Sequence, residues 1–128
     1  MNVADTRKLP RADVEVTLMG LGCAQMGNLY RVTSYAESEG AFKAAWDAGI
    51  RYFDTAPFYG YTRSERRVGT MLTDLPRDSY TLSTKVGRIM TPDETVGEEE
   101  DGYIQPLPFR PVYDYTHDGI MRSFEASQ

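Results

Sequence analysis

From Val14 the chain alternates apolar and polar positions, with Val14, Val16 and Leu18 standing between Glu15 and Thr17. A period of two marks a half-buried strand, so a first strand is expected here, running on through Met19, Gly20, Leu21, Gly22 and Cys23 to Ala24. Ser34 with Glu37 three residues later reads as a capping box, and Gly49 after Trp46, Asp47 and Ala48 reads as a helix stop. A helix is therefore expected over residues 35–48, with Ala41, Phe42, Ala44, Ala45 and Ala48 forming a face of mostly small residues that suits close approach to a sheet. The unit then repeats. Ile50 to Asp54 reads as a second strand, a loop carries Pro57 and Gly60, Ser64 is the expected N-cap, and Val68, Met71 and Leu72 fall at helical spacing. A third strand, Tyr80 to Lys85, follows the turn Pro76-Arg77-Asp78. Strand followed by helix, twice over, predicts an α/β fold with parallel pairing and right-handed crossovers.

After Val86 the rhythm breaks. Residues 88–115 contain Pro92, Pro106, Pro108 and Pro111 without a clear period, so they are expected to form a long loop after the third strand. A loop of that length in a compact domain is either functional or disordered. Tyr103, Ile104, Leu107, Phe109, Val112, Tyr113 and Tyr115 give it apolar content, suited either to covering a substrate pocket or to packing on neighbouring helices. Gly119 to Ser127 returns to a helical pattern that ends without a capping glycine.

Composition adds only bounds. With 41% hydrophobic and 12% aromatic residues and no apolar run of membrane-spanning length, the chain reads as globular with no membrane role. Met1 to Arg11 is charged and unlike a secretory signal. The single cysteine, Cys23, has no partner for an internal disulfide and fits a reducing compartment, so a cytoplasmic location is expected, with Cys23 as a small apolar filler. The net charge of −5 is concentrated in Asp93, Glu94, Glu98, Glu99, Glu100 and Asp101, and without those six the chain would stand at +1. That run has no compensating cation and is expected to be a solvated, mobile loop and not a site. No basic stripe supports nucleic-acid binding.

The candidate chemistry lies in Tyr52-Phe53-Asp54-Thr55-Ala56-Pro57-Phe58-Tyr59-Gly60 and in Ser83-Thr84-Lys85-Val86. Asp54 and Lys85 each end a strand pattern, and in a parallel sheet both would sit at carboxyl-terminal strand ends, where α/β sites form. Tyr59 follows Asp54 in a Pro/Gly turn. An ammonium beside a phenol favours the phenolate, and a carboxylate keeps that ammonium charged and oriented. Asp54, Lys85 and Tyr59 together can thus give or take one proton. Taken singly, each has a plain structural reading: a turn acid, a solvated strand end and a packed aromatic.

Asp54-Thr55-Ala56-x-x-Tyr59-Gly60, then Ser64-Glu65 opening a helix, then Ser83-Thr84-Lys85, resembles the amino-terminal part of the aldo-keto reductases, over roughly residues 14–127. Tyr113 to Ser123 is most similar to the subgroup of aldose, fucose and pyridoxal dehydrogenases. The resemblance implies a TIM (β/α)8 barrel, of which residues 1–128 would supply about the first three β/α units of one domain. It also implies hydride transfer between NAD or NADP and a small carbonyl or sugar substrate, in either direction. Asp54, Tyr59 and Lys85 would be catalytic, with Tyr59 the proton donor or acceptor. Gly22, Cys23 and Asp54 would approach the nicotinamide, and no metal is implied.

Gly20-Leu21-Gly22 is not the Rossmann fingerprint, because the third glycine is missing. The family's fourth catalytic residue is a histidine after the next barrel strand, whereas His117, the only histidine here, precedes a helix. The family's phosphate- and adenine-binding units are the last two of its barrel, and such a barrel takes about 250 residues against 128 here. The 128 residues alone are therefore expected to be inactive and to need a missing carboxyl-terminal portion. The alternative reading is a non-catalytic binding or regulatory module with the same fold pattern, against which the intact Asp-Tyr-Lys set speaks.

Overall fold

The computed structural model describes residues 2–128. An antiparallel hairpin of β1 (Thr6–Lys8) and β2 (Glu15–Thr17) opens the chain. Next come β3 (Gly20–Gly22), α1 (Tyr35–Asp47), β4 (Tyr52–Asp54), α2 (Arg63–Leu72) and β5 (Thr81–Ser83). The expected first strand, Val14 to Ala24, is thus divided between two partners. Its first part pairs with β1 and its second part with β4. Alternation reports burial on one face and carries no information on which neighbour is paired, so the division was not visible in the pattern.

Strands β3, β4 and β5 form one parallel sheet in that order, with Gly22 opposite Asp54 and Asp54 opposite Ser83. The two strand-helix repeats produce this arrangement, as expected for consecutive crossovers. The sheet remains open, with β3 and β5 at its edges. The α1 helix starts with the capping box read from Ser34 and Glu37: the Ser34 hydroxyl accepts from the Glu37 N–H at 3.1 Å, and the Glu37 carboxylate accepts from the Ser34 N–H at 2.7 Å.

The α2 helix begins differently from expectation. Thr62, in the left-handed region with φ 78°, occupies the N-cap, and Ser64 lies buried within the first turn. Its hydroxyl is turned inward, donating to the Cys23 carbonyl at 2.7 Å and so accepting from Thr55 Oγ1 at 2.9 Å. Ser64 ties the helix to the ends of β3 and β4 instead of capping it.

The core lies between the sheet and the two helices: Cys23, Met26, Phe42, Phe53, Val68 and Leu72 are all buried. Phe53, the central residue of the central strand, is stacked on Phe42 at 4.8 Å and on Trp46 at 6.3 Å. Burying a ring of this size stabilises the fold by about 1.5–3 kcal/mol.

Residues 88–115 correct the loop expectation. They contain β6 (Arg88–Pro92), β7 (Glu99–Glu100), β8 (Tyr103–Ile104) and β9 (Phe109–Tyr113). Strands β6 and β9 form a five-residue antiparallel ladder from Arg88 opposite Tyr113 to Pro92 opposite Phe109, and β7 pairs with β8 at the tip. Two of the prolines that argue for irregular chain, Pro92 and Pro111, fall within this two-stranded ribbon, where a missing N–H can face outward, while Pro106 and Pro108 lie in the connection before β9. Asp93, Glu100 and Asp101 of the acidic run are tied down. Arg110 donates to Asp93 at 2.6 Å and stands 4.0 Å from Glu100, while Asp101 accepts the Tyr61 hydroxyl. The compensating cation is 17 residues away from Asp93, beyond the reach of a local charge reading. Helix α3 (His117–Ala126) closes the order, with the Thr116 hydroxyl capping its start. No helix among the described residues is long and apolar enough to cross a membrane.

Candidate active site

Parallel register brings the first two groups together. Asp54 ends β4 directly opposite Ser83, and Lys85 follows two residues later, so the lysine side chain reaches back across one strand spacing. Its Nζ donates to Asp54 Oδ2 at 2.7 Å and to the Thr55 carbonyl at 3.1 Å. The same Nζ stands 4.9 Å from the centroid of the Tyr59 ring. The three expected catalytic residues therefore meet at one edge of the sheet. A pair whose side chains are 50% and 35% exposed contributes at most about 1 kcal/mol to folding, too little for stability alone to explain the arrangement.

Burial works to lower the Lys85 pKa, but hydrogen bonding to Asp54 and the adjacent Tyr59 phenol outweigh it, and the net direction is upward. Lys85 is thus held as an ammonium. Asp54 is in turn fixed at its other oxygen, where Ser83 Oγ donates to Oδ1 at 2.6 Å. Ser83 Oγ accepts from the Tyr52 hydroxyl at 3.1 Å, since its own hydrogen is directed to Asp54.

The turn carrying Tyr59 is unusual in its backbone. Gly60, Tyr61 and Thr62 all have positive φ, at 67°, 54° and 78°. A side chain at Gly60 would collide with the backbone of Gly27, so only glycine permits the close contact between these two turns. Left-handed conformation costs a non-glycine residue roughly 1–2 kcal/mol, and here it is held by several bonds. The Thr62 N–H donates to the Pro57 carbonyl at 2.8 Å and the Ser64 N–H to the Tyr59 carbonyl at 3.1 Å. Tyr61 is buried, and its hydroxyl is anchored on Asp101.

Behind Tyr59 lies Tyr103, a buried residue from the tip of the 88–113 excursion. Its ring meets Phe58 edge-on at 5.5 Å and stands 6.4 Å from both Tyr59 and Tyr61. Burial pushes the Tyr103 phenol up to about 12, so it stays neutral. The tip is fastened by Asn28, whose Nδ2 donates to the Ile104 carbonyl at 3.0 Å while its own carbonyl accepts the Ile104 N–H at 3.0 Å. In front, Tyr59, Lys85, Phe58, Val86, Arg88 and Tyr115 line a cavity of about 230 Å³.

The expected cofactor contacts divide. A Cβ placed on Gly22 would meet nothing within 4 Å, so the strand end opposite Asp54 is open to a ligand. Cys23 has no exposed surface, and its N–H and carbonyl are engaged by Asp54 and Ser64. Burial and the nearby Asp54 charge push its thiol up to about 12, consistent with an inert core residue. His117 stands exposed at the head of α3 with Nδ1 3.2 Å from Asp118. The sequence pattern assigns no role to Ser83 or Tyr52, and to Tyr103 only the covering or packing shared by the apolar residues of 88–115. The first two were detectable from register, because Tyr52, Asp54 and Ser83 share one face; Tyr103 arrives through a contact that no local pattern encodes.

Residues 18–128 match the Aldo/keto reductase family. The chain is 43% identical to a pyridoxal 4-dehydrogenase from Microbacterium luteolum, a match covering 100% of this chain and 40% of that protein. It is 40% identical to a D-threo-aldose 1-dehydrogenase from a Pseudomonas species, covering 91% of this chain and 37% of the relative. Among solved structures, the glycerol dehydrogenase of Gluconobacter oxydans superposes with a TM-score of 0.69 at 28% identity, covering 97% of this chain and 35% of that one. The chain thus spans about 40% of the length of the curated relatives it matches. With its Asp54–Lys85 pair set against Tyr59 at the end of a parallel sheet, the chain belongs to the aldo/keto reductase family.

Proposed function

We propose that the protein is an NAD- or NADP-dependent oxidoreductase acting on a sugar, a pyridoxal-like aldehyde or another small carbonyl or alcohol. The observation that carries this reading is the ammonium held between a carboxylate and a phenol, with Lys85 Nζ 2.7 Å from Asp54 and 4.9 Å from the Tyr59 ring. The open face at Gly22 beside Asp54 fits the approach of a nicotinamide. When bound, that group supplies or takes the hydride.

The residues of this chain handle the proton. In reduction, Tyr59 Oη gives its proton to the substrate oxygen, and Lys85 stabilises the phenolate left behind. In oxidation, the phenolate takes the hydroxyl proton. Asp54 acts through Lys85, keeping the ammonium charged and aimed at the ring. Phe58 and Tyr115 line the cavity beside Tyr59 with aromatic surface suited to the apolar side of a small substrate.

A complete barrel, and with it a dinucleotide phosphate site, would need a carboxyl-terminal portion such as the longer relatives have, and a cytoplasmic location goes with this reading. The open three-stranded sheet supports this reading, and the 128 residues alone should neither bind cofactor tightly nor turn over. The test is turnover of NADH or NADPH by the full-length polypeptide against aldoses and pyridoxal, with cofactor titration of the 128-residue piece alongside. Absence of turnover with every substrate and both cofactors would sink the proposal, and micromolar cofactor binding by the piece would overturn the view that its dinucleotide site is incomplete.

A further inference from the structure

Asp54 has two carboxylate oxygens, and the proton-handling set uses only one of them. Oδ2 receives Lys85, while Oδ1 receives Ser83, which in turn receives the Tyr52 hydroxyl. We infer that Ser83 and Tyr52 are positioning residues for this site, locking the Asp54 carboxylate in the rotamer that aims Oδ2 at Lys85 and so holds the ammonium against Tyr59. The inference rests on the proposed oxidoreductase function and deepens it.

Three features of the sheet support the role. Ser83 lies directly opposite Asp54 in the parallel register, and Tyr52 lies two residues before Asp54 on the same face, so the hydroxyls and the carboxylate are brought together by rigid backbone. A carboxyl group turns readily about its terminal torsion, and a single ammonium contact on one oxygen leaves that rotation available. A donor on the second oxygen at 2.6 Å removes it, and a charge-assisted bond of this kind is among the stronger hydrogen bonds.

The third feature is Gly20. A Cβ there would lie 2.7 Å from Cδ1 of Tyr52, so the bare strand leaves the space that the Tyr52 ring occupies. The glycine pair of β3 thus has two uses: Gly20 admits the Tyr52 ring, and Gly22 leaves open the face beside Asp54. Tyr52 and Ser83 do not meet the reacting atoms; they act through Asp54 and Lys85.

Oxidation needs the phenolate, which a well-placed ammonium favours. If Ser83 is removed, Asp54 turns, Lys85 is held less firmly, and the rate of oxidation should rise only at higher pH. In the full-length polypeptide, Ser83→Ala is expected to move the pH profile of oxidation upward by about half a unit and to lower kcat near neutral pH severalfold with KM little changed. Tyr52→Phe and Gly20→Ala should produce smaller shifts of the same sign, and Ser83→Thr should restore the profile.

A second readout needs no cofactor and no turnover. With isotope-labelled lysine, NMR should show the Lys85 ammonium hydrogens exchanging with water faster in Ser83→Ala than in the parent and at the parental rate in Ser83→Thr. Superimposable pH profiles or unchanged exchange would overturn the positioning role, as would a loss in Ser83→Ala that Ser83→Thr fails to rescue. If the parent protein turns over no substrate, the proposed function fails by itself, and the exchange measurement still decides whether Ser83 holds Lys85 through Asp54.

Discussion

Two regions meet at Tyr59. On one side stands the parallel sheet, whose register delivers Asp54 and Lys85 with adjacent strands as the only requirement. On the other stands the 88–113 excursion, which returns over a distance of many residues to place Tyr103 against the same ring. The sheet side presents half-exposed charged groups in contact with one another and an open face at Gly22. The excursion side presents a buried neutral phenol, an Asn28 clamp and an Arg110 clip. On the proposed function the two sides divide two tasks: the sheet edge arranges protons, and the excursion fixes the turn that carries Tyr59.

If this division holds, substitutions on the two sides should fail differently. On the sheet side, Lys85→Met in the full-length polypeptide should lower turnover by roughly 10²–10⁴-fold, the usual range for loss of a positioned acid-base group. Its unfolding free energy should change by no more than about 1 kcal/mol, because the Asp54 pair is partly exposed. Steady-state rates and denaturant melts on one preparation check both numbers. A large loss of stability with modest loss of rate would reverse the assignment of tasks.

On the excursion side, Tyr103→Ala removes a buried ring from among three aromatic neighbours and should cost about 3 kcal/mol of stability. The pH profile of the remaining activity should keep its shape, since Tyr103 carries no proton in the mechanism. A changed profile at unchanged stability would move Tyr103 into the chemistry.

The clip in the excursion should be sensitive to acid. Hydrogen bonds from Thr95 and Arg110 hold the Asp93 carboxyl down to about 2. Its contribution is therefore present above the ordinary aspartate value and is lost as pH falls from about 4 toward 2. Hydrogen exchange at residues 93–110 should accelerate in that window, and Arg110→Ala should bring the acceleration to neutral pH. The smallest effect belongs to His117→Ala, at an exposed site paired with Asp118: stability should stay within about 0.5 kcal/mol, with turnover unchanged. A large loss of turnover there would mean that the site extends to the start of α3.

The same comparison shows what was legible in the sequence. The sheet, α1 with its Ser34–Glu37 box, and the Asp54–Lys85–Tyr59 cluster rest on short-range pattern and on consecutive pairing, both of which can be read along the chain. Ser64 reads as a cap along the chain, but its hydroxyl is claimed by the Cys23 carbonyl, a tertiary partner that outweighs the local capping preference. The β6–β9 ladder is not legible along the chain, because its partners are far apart and its prolines imitate loop chain. Arg110 is hidden as the partner of the acidic run for the same reason of distance. The left-handed run at Gly60, Tyr61 and Thr62 carries no signal beyond its one glycine.

The account turns on Tyr59 as the group that exchanges the proton, and Tyr59→Phe in the full-length polypeptide tests it most directly, because only the phenolic oxygen is removed. The prediction is a fall in kcat of about a thousandfold with cofactor affinity unchanged in a fluorescence titration. Turnover at the parental level would contradict the account and return Tyr59 to the role of a packed aromatic.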